Sequence, residues 1–365
     1  MTAPVVLAID AMSGDHGLEA AVDGALLALG IHPELNVLLV GDEGLIAAHL
    51  QHRHHAADPR VRVQHATEVV AMHESPSKAL RNKKDSSMRV AINLVKEGRA
   101  QAAVSAGNTG ALMATAKFVL KTLPGIDRPA IISAIPSVNG HVHMLDLGAN
   151  AECSAEQLLQ FAVMGSALVT ATLGIERPKV ALLNIGEEEI KGNEVIKQAA
   201  QYLQASPLNY IGFIEGDGIF LKDVDVVVCD GFAGNIALKT GEGVAKLIYH
   251  FIKEEFTRSI FTKFAAVMAM PALKALGGRM DPRNYNGASF VGLNGIVVKS
   301  HGSADAQAFA AAIRVGLREV ENAVPKRIVS LLDAARPQTA AAPGAAAGGD
   351  LGVDRTLNDQ AGAHQ

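Results

Sequence analysis

Val5-Val6-Leu7-Ala8-Ile9-Asp10-Ala11-Met12-Ser13-Gly14-Asp15-His16-Gly17 begins with an unbroken apolar run and then turns abruptly polar and glycine-rich. An all-apolar run of this length reads as a strand buried on both faces. The pattern recurs along the chain. Val104-Ser105 leads to Ala106-Gly107-Asn108-Thr109-Gly110, and Met144-Leu145-Asp146 to Leu147-Gly148-Ala149-Asn150. Leu182-Leu183-Asn184 leads to Ile185-Gly186-Glu187, and Val226-Val227-Val228-Cys229-Asp230 to Gly231-Phe232-Ala233-Gly234-Asn235. Polar residues at the trailing ends of buried strands are expected to gather along one edge of a parallel sheet, where open α/β folds bind ligands.

Outward from these runs, strand and helix patterns alternate from residue 5 to about residue 230, the signature of βαβ units. Strands are expected to end near Asp10, Val40, Gln64, Ser105, Ile135, Asp146, Asn184, Glu215 and Asp230. Helices are expected over Leu18–Leu29, Ser77–Lys96, Gly110–Leu120, Ala155–Leu173 and Glu194–Gln204. Gly243 to Leu276 carries apolar residues at helical spacing. A final strand Gly295–Lys299 runs into Ser300-His301-Gly302-Ser303, and a helix from Ala304 to about Ala334 follows. Residues 1–336 therefore read as one α/β domain. Residues 337–365, rich in Ala, Gly and Pro, are too poor in large apolar residues to offset their ordering entropy and are expected to be a disordered tail.

Composition narrows the class. With 49% hydrophobic but only 4% aromatic residues, the core is built from aliphatic side chains, and 365 residues suffice for a large one. A net charge of -4 argues against wholesale nucleic-acid binding. The first strand is expected within a few residues of the N-terminus, so no signal peptide is expected, and no apolar run is expected to reach the length of a membrane span. Cys153 and Cys229 offer no disulfide framework, which suits a reducing cytosol.

Several common motifs are missing. The sequence has no Walker A pattern, no convincing G-x-G-x-x-G after the first strand, no H-E-x-x-H and no paired C-x-x-C. No metal site is expected: His52, His54 and His55 fall in a loop-like run, and His141 and His143 alternate in a strand-like one. Both cysteines read as small core residues, because no histidine lies near them in sequence. What remains is a set of anion-binding devices. Asn108-Thr109-Gly110 precedes a helix, where exposed N–H groups and the positive dipole end cradle phosphate or carboxylate, or where Asn108 or Thr109 is simply an N-cap. Ser77 or Ser75 can start a helix on which Lys78, Arg81 and Lys84 form a basic stripe suited to an acidic protein or a phosphorylated ligand. Three carboxylates, Glu187 to Glu189, precede Lys191-Gly192-Asn193 and can hold that lysine in place.

Six ordered stretches together resemble the bacterial phosphate acyltransferases of phospholipid synthesis, which make acyl phosphate from acyl-acyl carrier protein (acyl-ACP) and inorganic phosphate. They are Asp10-Ala11-Met12-Ser13-Gly14-Asp15, Ser77-Lys78-Ala79-Leu80-Arg81, Ser105-Ala106-Gly107-Asn108-Thr109-Gly110, Leu145 to Asn150, Asn184 to Glu188 with Lys191-Gly192, and Asp230 to Asn235. Ser13 stands where the family is expected to have glycine. The resemblance covers residues 5 to about 330. It implies a Rossmann-like three-layer α/β/α fold related to the phosphotransacetylases and the isocitrate dehydrogenase-like group. It further implies a cofactor-free homodimer in the cytoplasm, loosely attached to the inner face of the membrane and working beside the membrane glycerol-3-phosphate acyltransferase.

On that reading phosphate attacks the thioester directly, so no serine or cysteine nucleophile is needed. Phosphate would be held around Gly107, Asn108, Thr109 and Gly110, with Gly14, Ser105 and Asn150 nearby. Asp10, Asp15 and Asp146 would orient the site. Lys191 would neutralise developing charge, Asn193 or Asn235 would donate to the oxyanion, and His301 would protonate the leaving thiol. Lys78, Arg81 and Lys84 are the expected ACP dock. Phe261, Phe264, Val267 and Met268, flanked by Lys253, Arg258, Lys263 and Lys274, are the expected membrane contact, with a dimer seam near Val244–Ile252. Rival readings are a phosphotransacetylase using acyl-CoA, an NAD(P)-dependent dehydrogenase on a related fold, and a non-catalytic scaffold that presents ACP at the membrane.

Overall fold

A computed structural model of the chain describes residues 4–55 and 58–335, so the expected tail over 337–365 lies outside the described residues. The N-terminal part runs β1 (Val5–Asp10), α1 (Gly17–Ile31), β2 (Leu35–Gly41), α2 (Glu43–His52), β3 (Val61–His65), α3 (Pro76–Asn82), α4 (Ser87–Lys96), β4 (Ala102–Ser105) and α5 (Thr109–Leu120). The middle runs β5 (Ala130–Ser137), β6 (Gly140–Leu145), α6 (Ala155–Leu173), β7 (Lys179–Leu183), α7 (Glu194–Gln204), β8 (Asn209–Ile214), α8 (Gly218–Leu221) and β9 (Val226–Val228). Two long helices follow, α9 (Gly231–Thr257) and α10 (Ile260–Met280), then a 3-10 turn (Pro282–Tyr285), β10 (Ala288–Val291), β11 (Ile296–Lys299), α11 (Ala306–Glu321) and α12 (Val324–Ala335).

The described strands form one eleven-stranded sheet in the order β3-β2-β1-β4-β11-β10-β5-β6-β9-β7-β8. Helices cover both faces. Alternate residues of β4 show why: Ala103 packs toward α4 and α5, while Ala102 and Val104 pack toward α1 and α11. Strands buried on both faces need this three-layer arrangement, and the aliphatic composition supplies it.

The sheet differs from expectation in one consequential way. β3, β2, β1, β4 and β11 are mutually parallel, as are β6, β9, β7 and β8. The two blocks run in opposite directions. β10 is antiparallel to β11 and to β5, and β5 is antiparallel to β6. The strands of the two blocks therefore point their polar ends in opposite directions, but those ends fall at one level across the sheet, since Val104, Val298, Ser289, Ile132, Leu145, Val228 and Leu182 are in register. The reversal is local: Ser137 pairs with Gly140 across a tight hairpin whose two turn residues are Val138 and Asn139, and Gly140 takes up the positive φ, +113°, that follows them.

Two expected helices are each divided. Ser77–Lys96 breaks because the Asp85 carboxylate accepts from the Thr67 N–H at 2.9 Å and from its hydroxyl at 2.6 Å, after which Ser86 caps a new helix. The final helix breaks at Ala323, where φ is +49°. β10, which the apolar pattern did not announce, is the short strand that turns the chain between the two blocks.

Candidate active site

The edge formed by the ends of β1, β4 and β11 brings three loops into contact. Asp10, fully buried, accepts from the Ser105 hydroxyl at 2.6 Å, and the same hydroxyl accepts from the Gly107 N–H at 3.1 Å. The Ser300 N–H donates to the Ser105 carbonyl, and the Asp15 N–H to the Gly302 carbonyl. Gly14 sits where these loops meet. Its φ is +99°, and a Cβ there would come within 2.8 Å of the Ala106 Cβ, so no other residue fits without moving the loop.

A buried lysine dominates the electrostatics. Lys299, 8% exposed, donates from Nζ to the Ala106 carbonyl at 3.2 Å and to the Ser300 carbonyl. An ammonium has three protons, and these two bonds leave one for a ligand. Burial pushes the Lys299 pKa down to about 8, Lys239 lowers it further, and Asp10 and Asp15 oppose the fall.

His301 is held alongside. Its backbone N–H donates to Asn286, and its Nδ1 accepts from the Ser303 N–H at 3.2 Å. A ring nitrogen that accepts cannot carry the proton, so the neutral imidazole presents Nε2–H outward. Burial, then Lys239 and Lys299, hold the His301 pKa below the ordinary histidine value, which keeps the ring a neutral donor near pH 7.

Next to these groups α5 begins. Asn108 caps it, accepting from the Ala111 N–H at 2.9 Å, while Asn108 Nδ2 donates to the Met72 and Glu74 carbonyls. The Asn108 side chain is thus committed to structure. Thr109 and Gly110, exposed at the first turn, supply the helix's unsatisfied N–H groups and its positive dipole end. Ser13, 3% exposed, adds a hydroxyl with no partner among the described residues, against Gly107.

The other expected residues are elsewhere. Asp146, just past the end of β6 in the reversed block, accepts from the N–H groups of Ile131, Gly148, Ala149 and Asn150 and from Asn150 Nδ2. Its carboxylate and the Asn150 amide, which also donates to the Pro129 carbonyl at 2.9 Å, are engaged with backbone. The start of α9 is wedged onto this loop: a Cβ on Gly234 would lie 2.0 Å from the Asp146 carbonyl oxygen, and Asn235 Nδ2 donates to the Leu147 carbonyl. These residues build a brace that fixes the origin of α9.

Lys191 and Asn193 follow β7. Asn193 caps α7 by accepting from the Ile196 N–H, and Lys191 is exposed. β7 is six strands from β4, roughly 29 Å along the sheet at about 4.8 Å per strand. Lys191 and the Gly107–Gly110 loop are therefore not brought together in one chain. The lysine that does stand at that loop is Lys299, which sequence reasoning passed over; the signal was a lysine ending the apolar run Ile296-Val297-Val298.

The basic stripe is also altered. Lys78 and Arg81 lie on α3, but the helix ends at Asn82, so exposed Lys84 falls in the following turn. α10 projects its apolar residues outward: Phe261 is 84% exposed and Met268 71%, with Phe264 and Val267 close behind. Contrary to expectation, the stretch Ile260–Tyr285 is long and apolar enough to cross a membrane by length and composition, its alanines having masked it as an apolar run.

Neither cysteine is activated. Burial pushes the Cys153 thiol up to about 12, and the Cys229 thiol well above its ordinary range. Among the described residues no three His, Cys, Asp or Glu side chains converge to hold a metal ion.

This sheet with its reversed block is the fold of the phosphotransacetylases. A phosphotransacetylase from Streptococcus pyogenes superposes with a TM-score of 0.57 at 16% identity, covering 87% of this chain and 94% of that one. The EutD phosphotransacetylase from Staphylococcus aureus gives 0.55 at 18% identity with the same coverage. In sequence, the family described as "Fatty acid synthesis protein" matches residues 5–327. A phosphate acyltransferase from Methylococcus capsulatus is 61% identical over 322 residues, 88% of this chain and 95% of its own. One from Alkalilimnicola ehrlichii is 58% identical over 333 residues, 91% of this chain and 97% of its own. The chain belongs to the phosphate acyltransferase family, and it is an acyltransferase.

Proposed function

We propose that this enzyme transfers the acyl group of a long-chain acyl-ACP to inorganic phosphate, the first step of acyl phosphate-dependent phosphatidic acid synthesis. The observation that carries the reading is the meeting of Lys299, the His301 Nε2–H and the free start of α5 at one edge, with no activated side-chain nucleophile beside them. A thioester needs no covalent enzyme intermediate. Phosphate dianion sits on the Thr109 and Gly110 N–H groups and the Lys299 ammonium. A phosphate oxygen attacks the thioester carbonyl carbon, and His301 donates a hydrogen bond to the tetrahedral oxyanion. Collapse breaks the C–S bond. The phosphate proton passes to the thiolate, giving the acyl phosphate dianion and free ACP thiol.

Docking of ACP on Lys78, Arg81 and Lys84 fits an acidic carrier, since these exposed cations lie beside α5. The exposed apolar side chains Ile185, Ile190, Phe232 and Ile236 favour a homodimer seam beside the Asp146 loop, alongside the α9 segment near Val244–Ile252. The outward face of α10 suits peripheral attachment to the inner face of the membrane, close to the glycerol-3-phosphate acyltransferase. A hairpin whose two ends both return to the sheet lies on a bilayer more readily than it spans one, and Lys263 and Lys274 flank the apolar face.

The test is release of free thiol from long-chain acyl-ACP, with and without phosphate, with hydroxylamine trapping the acyl phosphate. Phosphate-dependent release is expected, with Lys78→Glu/Arg81→Glu raising KM for acyl-ACP. Turnover of acyl-CoA with none of acyl-ACP would instead make this a phosphotransacetylase, and ACP binding without turnover a scaffold.

A further inference from the structure

On the sheet face away from α5, a cavity of about 170 Å³ opens between α6, α11 and the 3-10 turn. It is lined by Arg314 and Arg318 of α11, by His141 and His143 of β6, and by Asn286. The two arginines are four residues apart on one helix face, and neither guanidinium has an acid partner among the described residues. The one acid in the lining, Glu319, is buried, accepts from the Ser289 hydroxyl, and has its pKa pushed up by burial to about 7. His143 is nine-tenths buried and its ring has no hydrogen-bond partner among the described residues. Burial drives its pKa down to about 3, so it faces the cavity as a neutral donor or acceptor. Two cations and open imidazoles around a space with room for several waters describe a receptacle for a small anion.

The cavity is also connected to the reacting edge. Asn286 Nδ2 donates to the Ser300 hydroxyl at 2.9 Å and to the Ala308 carbonyl at 2.6 Å, while its Oδ1 accepts from the His301 N–H at 2.9 Å. One side chain thus lines the cavity and sets the backbone that carries His301.

We propose that this cavity is a second oxyanion site, taking phosphate or a short phosphomonoester between Arg314, Arg318 and His143, and that its occupancy is transmitted to His301 through Asn286. Binding there would tune the acyl-transfer edge without competing for it.

Inorganic sulfate, a tetrahedral oxyanion that cannot be acylated to the stable product, serves as probe. Calorimetric titration of the full chain is expected to show a binding event that is weakened tenfold or more in Arg314→Gln/Arg318→Gln, while any event at the α5 edge persists. The His301 imidazole resonances, followed in the same titration, are expected to lose the component belonging to the missing event. Because both arginines are at least partly exposed, the variant should keep the wild-type melting temperature, and a folded variant is the condition for reading the result. An isotherm identical to wild type overturns the site. Loss of the event with an unchanged His301 response overturns the relay. Phosphate-dependent thiol release does not enter either readout, so failure here is separate from failure of the acyl-transfer reading.

Discussion

Ser105 donates to Asp10 across 2.6 Å, a fully buried bond between residues 95 apart in sequence, at the ends of the neighbouring strands β4 and β1. It fixes one carboxylate oxygen and leaves the Asp10 charge to act on Lys299, whose pKa it raises against burial.

Asp10→Asn keeps an acceptor for Ser105 but removes that charge. Lys299 must be protonated to hold phosphate, so wild-type kcat/KM is expected to decline as pH rises through about 8. In Asp10→Asn the decline moves to lower pH. Superimposable profiles from pH 6 to 9.5 would disconnect the pair from function.

His301 is assigned the oxyanion bond. His301→Ala is expected to lower kcat roughly 100- to 1000-fold with KM for phosphate little changed. His301→Gln, which keeps an N–H, should recover part of the loss. Because the His301 pKa is lowered, no activity limb from its ionisation is expected above pH 6.5.

Lys191→Ala is expected to leave turnover within about twofold of wild type, since the side chain stands six strands from the phosphate loop. A hundredfold loss would mean that this lysine reaches a site not formed within one chain.

Glu319 makes a stability prediction. Its folded pKa, about 7, lies above the ordinary 4.5, so the folded state binds its proton more tightly. This contribution is full below pH 4.5 and is lost as pH rises through about 7. Glu319→Gln, able to accept from Ser289, should remove that slope and gain up to roughly 3 kcal/mol at pH 8 relative to pH 4.5. Urea unfolding at the two pH values measures it.

A charge on the outer face of α10, Val267→Asp or Met268→Asp, is expected to weaken binding to anionic vesicles about tenfold or more and to leave activity in solution unchanged. Loss of both together would point to a dimer seam instead.

Much of the fold was legible in residues 5 to 230, because strands buried on both faces must be continuously apolar and helices between them must show one apolar stripe. The α3–α4 break was less legible, since it depends on Asp85 finding Thr67, a partner 18 residues away. β10 was not legible, because four residues carry too little periodicity.

The candidate site divides along the same line. Asp10, Gly14, Ser105, Gly107, Thr109, Gly110 and His301 were readable as a set, since each follows a strand end and local chemistry suffices to mark it. Asn108 was readable as a cap, and capping is what occupies it. Which strand ends stand together was a matter of the Val138-Asn139 hairpin and of β10, whose reversals set Asp146, Asn150, Lys191 and Asn235 in a block of opposite strand direction, beyond β5. Lys299 became conspicuous only through burial. A lysine in a sequence carries no mark of its surroundings, and its pKa is set by residues that only folding brings near. Local sequence thus dictates where each strand stops and turns polar, while strand direction and long-range burial decide which of those ends act together.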